Sequence, residues 1–178
     1  MITLISGGAR SGKSKFASSL FENKNDVVYI ATSRIEDEEM KQRVEMHKEF
    51  RPESWRTFEG TYDLEDALGL ETNYLLDCIT VLTFNILFDI SKGSEDINLE
   101  TSKEIEDKIF LELSTLIEKA KSLNINLALV TNEVGDSIVP DNNLARVYRD
   151  ILGRVNQKVA TICDEVYVVF CGIPMKLK

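Results

Sequence analysis

The stretch Ile2-Thr3-Leu4-Ile5-Ser6-Gly7-Gly8-Ala9-Arg10-Ser11-Gly12-Lys13-Ser14 runs from an apolar strand pattern straight into a glycine-rich turn. Residues 7–14 satisfy G-x-x-x-x-G-K-[ST], and Phe16, Ala17, Leu20 and Phe21 then follow at helical spacing. A strand, a glycine loop and a helix in that order build an anion cradle. Glycine lets the loop close tightly and aim backbone N–H groups inward. The helix N-terminus adds partial positive charge. In such a loop Lys13 reaches the β- and γ-phosphates of a nucleoside triphosphate, and the Ser14 hydroxyl is offered to Mg²⁺. The bland alternative is a strand-to-helix turn that binds nothing, but position, spacing and flanking patterns all favour the cradle.

Outward from this stretch, short apolar runs alternate with amphipathic segments. Strands are expected at Ile2 to Ser6, Val27 to Ala31, Arg56 to Glu59, Tyr74 to Cys78, Asn126 to Thr131 and Glu165 to Cys171. Helices are expected to start near Gly12, Asp37, Tyr62, Thr80, Glu100 and Asn142. The alternation predicts an α/β fold with a mostly parallel sheet flanked by helices. Leu127-Ala128-Leu129-Val130 has no polar face, as expected where both sheet faces are covered. Ile105, Ile109, Leu113, Leu116 and Ala120 trace one buried helix face; Leu144, Tyr148, Ile151, Val155, Val159 and Ile162 trace another. Ser91 to Leu99, with Gly93, reads as a surface loop, and the 178 residues fit a single domain.

Composition narrows the function classes. Hydrophobic residues make up 43%, enough for a real core. The net charge of −9 disfavours a nucleic-acid partner, which needs a basic footprint. Cys78, Cys163 and Cys171 form no metal-binding spacing, which suits a reducing cytoplasm, and all three are expected to be small buried hydrophobes. Residues 1–6 lack the basic and long apolar regions of a signal peptide, and no run reaches membrane-spanning length. A cytoplasmic protein is the expectation.

Three further residues attract chemistry. Asp77 closes the apolar run Tyr74-Leu75-Leu76, where a phosphate-binding loop needs an acid near its metal. A cap on the following helix is the competing reading. Glu133 lies just beyond another strand end and is a weaker competitor for the same role. His47 is the only histidine, sharing a helical face with Met40 and Val44, close to Lys48 and Arg51. Imidazole is a competent nucleophile toward phosphorus, but a satisfied structural histidine is the commoner case from spacing alone.

The combination is more specific than its parts. Gly-Gly-Ala-Arg-Ser-Gly-Lys-Ser at 7–14, Tyr-Ile-Ala-Thr-Ser at 29–33, His47 with Arg51-Pro52, Thr-Asn-Glu-Val-Gly at 131–135, Ile-Val-Pro at 138–140, Leu-Ala-Arg at 144–146 and Gly-Arg-Val-Asn-Gln at 153–157 occur together. From Ile2 to Lys178 the chain resembles the bifunctional adenosylcobinamide kinase / adenosylcobinamide-phosphate guanylyltransferase family of cobalamin biosynthesis. The resemblance implies a RecA-like P-loop fold, a homotrimer and two reactions. Adenosylcobinamide is phosphorylated with ATP or GTP, and GMP is then moved from GTP onto that phosphate. It also implies His47 as the guanylylated residue. Nucleotide contacts are implied at Gly7, Gly8, Ala9, Arg10, Ser11, Gly12, Lys13 and Ser14, at Thr32, Ser33 and Arg34, at Lys48, Glu49, Phe50 and Arg51, and at Glu59 and Asp77. Some relatives carry two adjacent histidines where this chain has Met46-His47, and Glu occurs in relatives where it has Asp77, so the role of the shorter acid stays open. Another P-loop small-molecule kinase and a non-catalytic nucleotide switch are the alternatives.

Overall fold

The computed structural model describes residues 1–34 and 52–178. Its strands are β1 (Ile2–Ser6), β2 (Val27–Ala31), β3 (Arg56–Glu59), β4 (Asn73–Asp77), β5 (Asn126–Val130), β6 (Glu165–Phe170) and β7 (Ile173–Lys176). The helices are α1 (Lys13–Ser19), α2 (Ile79–Ser91), α3 (Leu99–Ser122) and α4 (Asn143–Ile162). One sheet of seven strands has the order β3-β2-β4-β5-β1-β6-β7. Every neighbouring pair is parallel except β6 with β7. Parallel strands need crossovers, and the helices that supply them cover the sheet.

Side chains alternate between two cores. Ile2 and Leu4, Val28 and Ile30, Tyr74 and Leu76, and Leu127 and Leu129 face the larger core with Ile105, Ile109, Leu113, Ile151, Val155 and Val159. Ile5, Val27, Tyr29, Leu75, Ala128 and Val130 face the smaller one with Ala17, Phe21 and Trp55. Period-two alternation therefore coexists with continuous apolarity, because both faces are covered. Asn98 and Asn142 cap α3 and α4 by accepting the N–H of Thr101 and Ala145 at 2.9 and 2.7 Å, the arrangement that makes Asn a favoured cap.

Several expectations are corrected. The helix expected near Tyr62 is only a single 3-10 turn, Leu64–Ala67, entered through Asp63 at φ 52. Leu64, Ala67 and Leu68 do follow helical spacing, but Leu68 is already extended at φ −75 and ψ 121 and Gly69 follows it, so the turn goes no further. The C-terminal strand β7 is an addition to the expected set. It returns antiparallel through Cys171 and Gly172, at φ 52 and 80, the paired positive values of a tight hairpin turn. That turn exposes Cys171, whereas Cys163 is buried and Cys78 half-buried. The strands expected to end at Cys78, Thr131 and Cys171 each stop one residue earlier. Leu20 closes α1 on the surface. The helix expected near Asp37 lies outside the described residues. The connection expected over Ser91 to Leu99 is confined to residues 92–98, exposed except for the buried Ile97, and β4 and β5, on either side of it, pair directly. Among the described residues no helix is long and apolar enough to cross a membrane.

Candidate nucleotide site

The carboxyl ends of β1, β2, β4 and β5 lie side by side, the edge where open α/β sheets hold ligands. The loop after β1 is shaped by contacts that exclude a side chain. A methyl on Gly7, which sits at φ 150, would fall 2.4 Å from the Val169 carbonyl oxygen and 2.8 Å from Ser11 Oγ. At Gly12, with φ 99, it would lie 3.2 Å from the Gly172 Cα. The Gly172 N–H donates to the Ser11 carbonyl at 2.8 Å, so the β6–β7 turn backs the loop. Glu133 N–H donates to the Gly7 carbonyl at 3.0 Å from the other side. Gly8, Ala9 and Arg10 form the exposed rim, with Arg10 at φ 56.

Lys13 begins α1 with only 7% of its surface exposed. Its ammonium donates to the Gly8 carbonyl at 2.6 Å. Burial pushes its pKa below the ordinary lysine range, opposed by the nearby Cys78 and Asp77. Ser11 Oγ is buried with no hydrogen-bond partner among the described residues. A buried cation and an orphaned hydroxyl in one glycine loop are what an anion would satisfy.

Asp77 ends β4, in register with Ala31 and Val130, and acts electrostatically on Lys13. It is not the cap of α2; Cys78 holds that place. Glu133 differs, since its Oε1 accepts the Gly135 N–H of its own loop at 2.7 Å. Both acids lie at the cradle, Glu133 through its backbone bond to Gly7 and Asp77 at the strand end whose charge opposes the burial of Lys13. Among the described residues no cluster of three or more His, Cys, Asp or Glu could hold a metal. The donors suit Mg²⁺ shared with a nucleotide, which needs only a carboxylate or hydroxyl beside phosphate and water oxygens. Ser14, in the first turn of α1, and Asp77 are the residues that would hold it.

Beyond β4, a hollow of about 370 Å³ is lined by Thr32, Ser33, Arg34, Glu59, Gly60 and Thr61. Four of these are expected from the sequence; Gly60 and Thr61 are not. Thr32 Oγ1 accepts the Cys78 N–H at 3.0 Å and donates to the Cys78 carbonyl at 2.9 Å, which locks the ends of β2 and β4 together. Asn85 Nδ2 donates to the Thr32 carbonyl at 2.7 Å. Asn85 and Asp89 are polar positions four apart in the apolar run of α2, a signal visible in the sequence. His47, Lys48, Glu49, Phe50 and Arg51 lie outside the described residues.

The blocks at 131–157 brace this edge. Thr131 Oγ1 donates to Asn156 Oδ1 at 2.8 Å, and Asn156 Nδ2 to the Asn132 carbonyl at 3.2 Å. Asn132 N–H donates to Thr80 Oγ1 at 2.8 Å, and Tyr148 Oη to the Thr80 carbonyl at 3.1 Å. Arg146 donates to the Pro140 and Asp141 carbonyls at 2.9 and 2.6 Å. These side chains hold loop backbone that no ladder can satisfy.

Sheet order, glycine loop and buried lysine define a P-loop nucleotide-binding protein. Its fold is shared with a prototypical ATPase from the type III secretion system of pathogenic bacteria, at 13% identity and TM-score 0.61 over 94% of this chain and 50% of that one. Residues 3–177 match the cobinamide kinase / cobinamide phosphate guanyltransferase family, and the chain belongs to it. It is 43% identical to the bifunctional adenosylcobalamin biosynthesis protein CobU of Escherichia coli (strain K12), across 100% of both chains. It is 36% identical to the bifunctional adenosylcobalamin biosynthesis protein CobP of Pseudomonas aeruginosa, across 100% of this chain and 98% of that one.

Proposed function

We propose that this chain phosphorylates the aminopropanol hydroxyl of adenosylcobinamide and then guanylylates the product, with one carboxyl edge serving both reactions. One observation carries the reading: a phosphate cradle and a nucleoside-sized hollow share that edge. They are separated by β5 and β4. Three strand spacings are about 14 Å, comparable with an extended nucleoside triphosphate. The phosphates belong in the loop with Lys13, and the nucleoside end beside Ser33, Arg34 and Glu59. Asp77 stands between them.

In the kinase step the protein positions the γ-phosphoryl and offsets charge, through Lys13 and the loop N–H groups. Ser14 and Asp77 would hold Mg²⁺ with the nucleotide, and that ion would supply further offset of phosphate charge. Guanylyl transfer must instead break the α–β phosphoanhydride. An imidazole nitrogen of His47 attacks the α-phosphorus of GTP and pyrophosphate leaves. The corrinoid phosphate oxygen then attacks the same phosphorus, the P–N bond breaks, and adenosylcobinamide-GDP departs with the histidine restored. A single-domain chain acting as a homotrimer in the cytoplasm completes the reading. Incubation with GTP labelled in the α-phosphate tests it. The wild type should carry acid-labile, base-stable GMP on the His47 peptide. His47→Ala should lose that adduct and adenosylcobinamide-GDP synthesis while retaining phosphoryl transfer. A wild-type level of adduct in His47→Ala would refute the nucleophile. Absence of adduct in both proteins, with product still formed, would mean direct transfer.

A further inference from the structure

One wall of the hollow is held by side chains that the two reactions do not themselves require. Arg34 donates from both terminal nitrogens to Asp89, at 2.7 Å to Oδ1 and 2.7 Å to Oδ2. Its Nε donates to Thr61 Oγ1 at 3.2 Å. Tyr62 Oη donates to Asp89 Oδ2 at 2.8 Å. The Lys108 ammonium lies 5.3 Å from the centre of the Tyr62 ring. Three segments therefore converge on one carboxylate: the chain leaving β2, the turn after β3 and the last part of α2. Two parallel N–H···O bonds fix the plane of a guanidinium in a way one bond cannot. The carboxylate also offsets the Arg34 charge, leaving Glu59 as the other charged group on the lining. A wall of that character suits the uncharged, donor-rich end of a nucleotide, and leaves the phosphates to Lys13. Burial, with help from Asp89, pushes the Tyr62 phenol up to about 12, so it remains a donor throughout the working range of pH.

We infer that Asp89 and Tyr62 are positioning residues for nucleotide binding, clamping Arg34 and Thr61 into the wall that receives the nucleoside end of GTP. The inference rests on the placement of that end in the hollow, so the test must separate the two. Steady-state guanylyl transfer is measured with GTP and adenosylcobinamide phosphate. Asp89→Ala should raise the KM for GTP about tenfold with kcat within about twofold, the pattern of binding lost equally from ground and transition states. Tyr62→Phe, which removes only a hydroxyl and guards against misfolding of the first variant, should raise it about threefold. Arg34→Gln should match Asp89→Ala, and the double variant should be no worse than either single, because both act through one contact. An unchanged KM in Asp89→Ala, or a double variant near a hundredfold, overturns the clamp. Glu59→Gln touches the hollow but not the clamp. If it raises KM while Asp89→Ala does not, the clamp alone is wrong. If it leaves KM unchanged, the hollow is not the nucleoside site and the clamp proposal falls with it.

Discussion

Gly7→Ala puts a methyl where the structure has no room. The backbone φ of 150 is one that side chains rarely adopt, and the new Cβ would sit 2.4 Å from a backbone oxygen of β6. Backbone strain of this kind costs about 1–3 kcal/mol, and forced overpacking a further 1–3 kcal/mol or so. The obstructing Val169 oxygen belongs to a strand of the central sheet, so it cannot swing away like a flexible side chain. A total of about 2–6 kcal/mol corresponds to a melting temperature lower by roughly 4–24 °C for a chain of this length. Because relief must come from moving the loop, the KM for GTP should also rise, by roughly tenfold or more. Gly8→Ala is the matched control, since among the described residues nothing lies within 4 Å of its added methyl; it should melt within about 2 °C of wild type. Thermal unfolding of both variants, with GTP titrations, decides the matter. A Gly7→Ala protein that melts within about 2 °C of wild type and binds GTP normally would refute the packing argument.

Lys13→Met should abolish most of both activities, a loss of roughly a hundredfold or more, while raising stability by about 1 kcal/mol. Burial holds the folded pKa of Lys13 below that of the unfolded chain, so the unfolded state binds more protons in between. Wild-type stability should therefore rise with pH from the depressed folded value to the ordinary lysine value of 10.5. The gap in melting temperature between wild type and Lys13→Met, followed against pH, reads that rise, and a flat gap would contradict it. Asp77→Asn should lower Mg²⁺-dependent turnover roughly tenfold to a hundredfold and demand more Mg²⁺, with melting within about 3 °C of wild type. Unchanged metal dependence with a large fall in melting temperature would make Asp77 structural.

The strand–glycine–lysine–helix stretch at 2–21 is decisive in the sequence because its chemistry is local. Spacing, glycine positions and the helix start all lie within one short run of chain. The apolar runs of β1, β2, β4 and β5 and the buried faces of α3 and α4 are equally legible, since burial on a sheet or helix imposes its own period. Asp77 is legible as a strand-end acid, with Glu133 as the weaker competitor; the surroundings of each are not. Glu133 turns back to bond Gly135 of its own loop, and only the fold shows that Asp77 acts on Lys13. The same holds for the hairpin β6–β7. Its strand β7 is a short exposed edge with Pro174 in it, so it carries little periodic signal. Tertiary structure alone makes the hairpin the backing of the glycine loop, through Gly172 and Ser11. Thr61, Tyr62, Asn85 and Asp89 show most clearly where sequence stops. Asn85 and Asp89 stand out as polar positions in an apolar helix, but nothing along the chain joins them to Thr32 and Arg34. That joining depends on strand order. β2 pairs with β4, Ala31 beside Asp77, although β3 lies between them in the chain. Only that pairing carries Thr32 and Arg34, just past the end of β2, alongside α2, which follows β4. Local chemistry can be read from a string of residues, whereas a contact between distant segments exists only once the sheet has chosen its order.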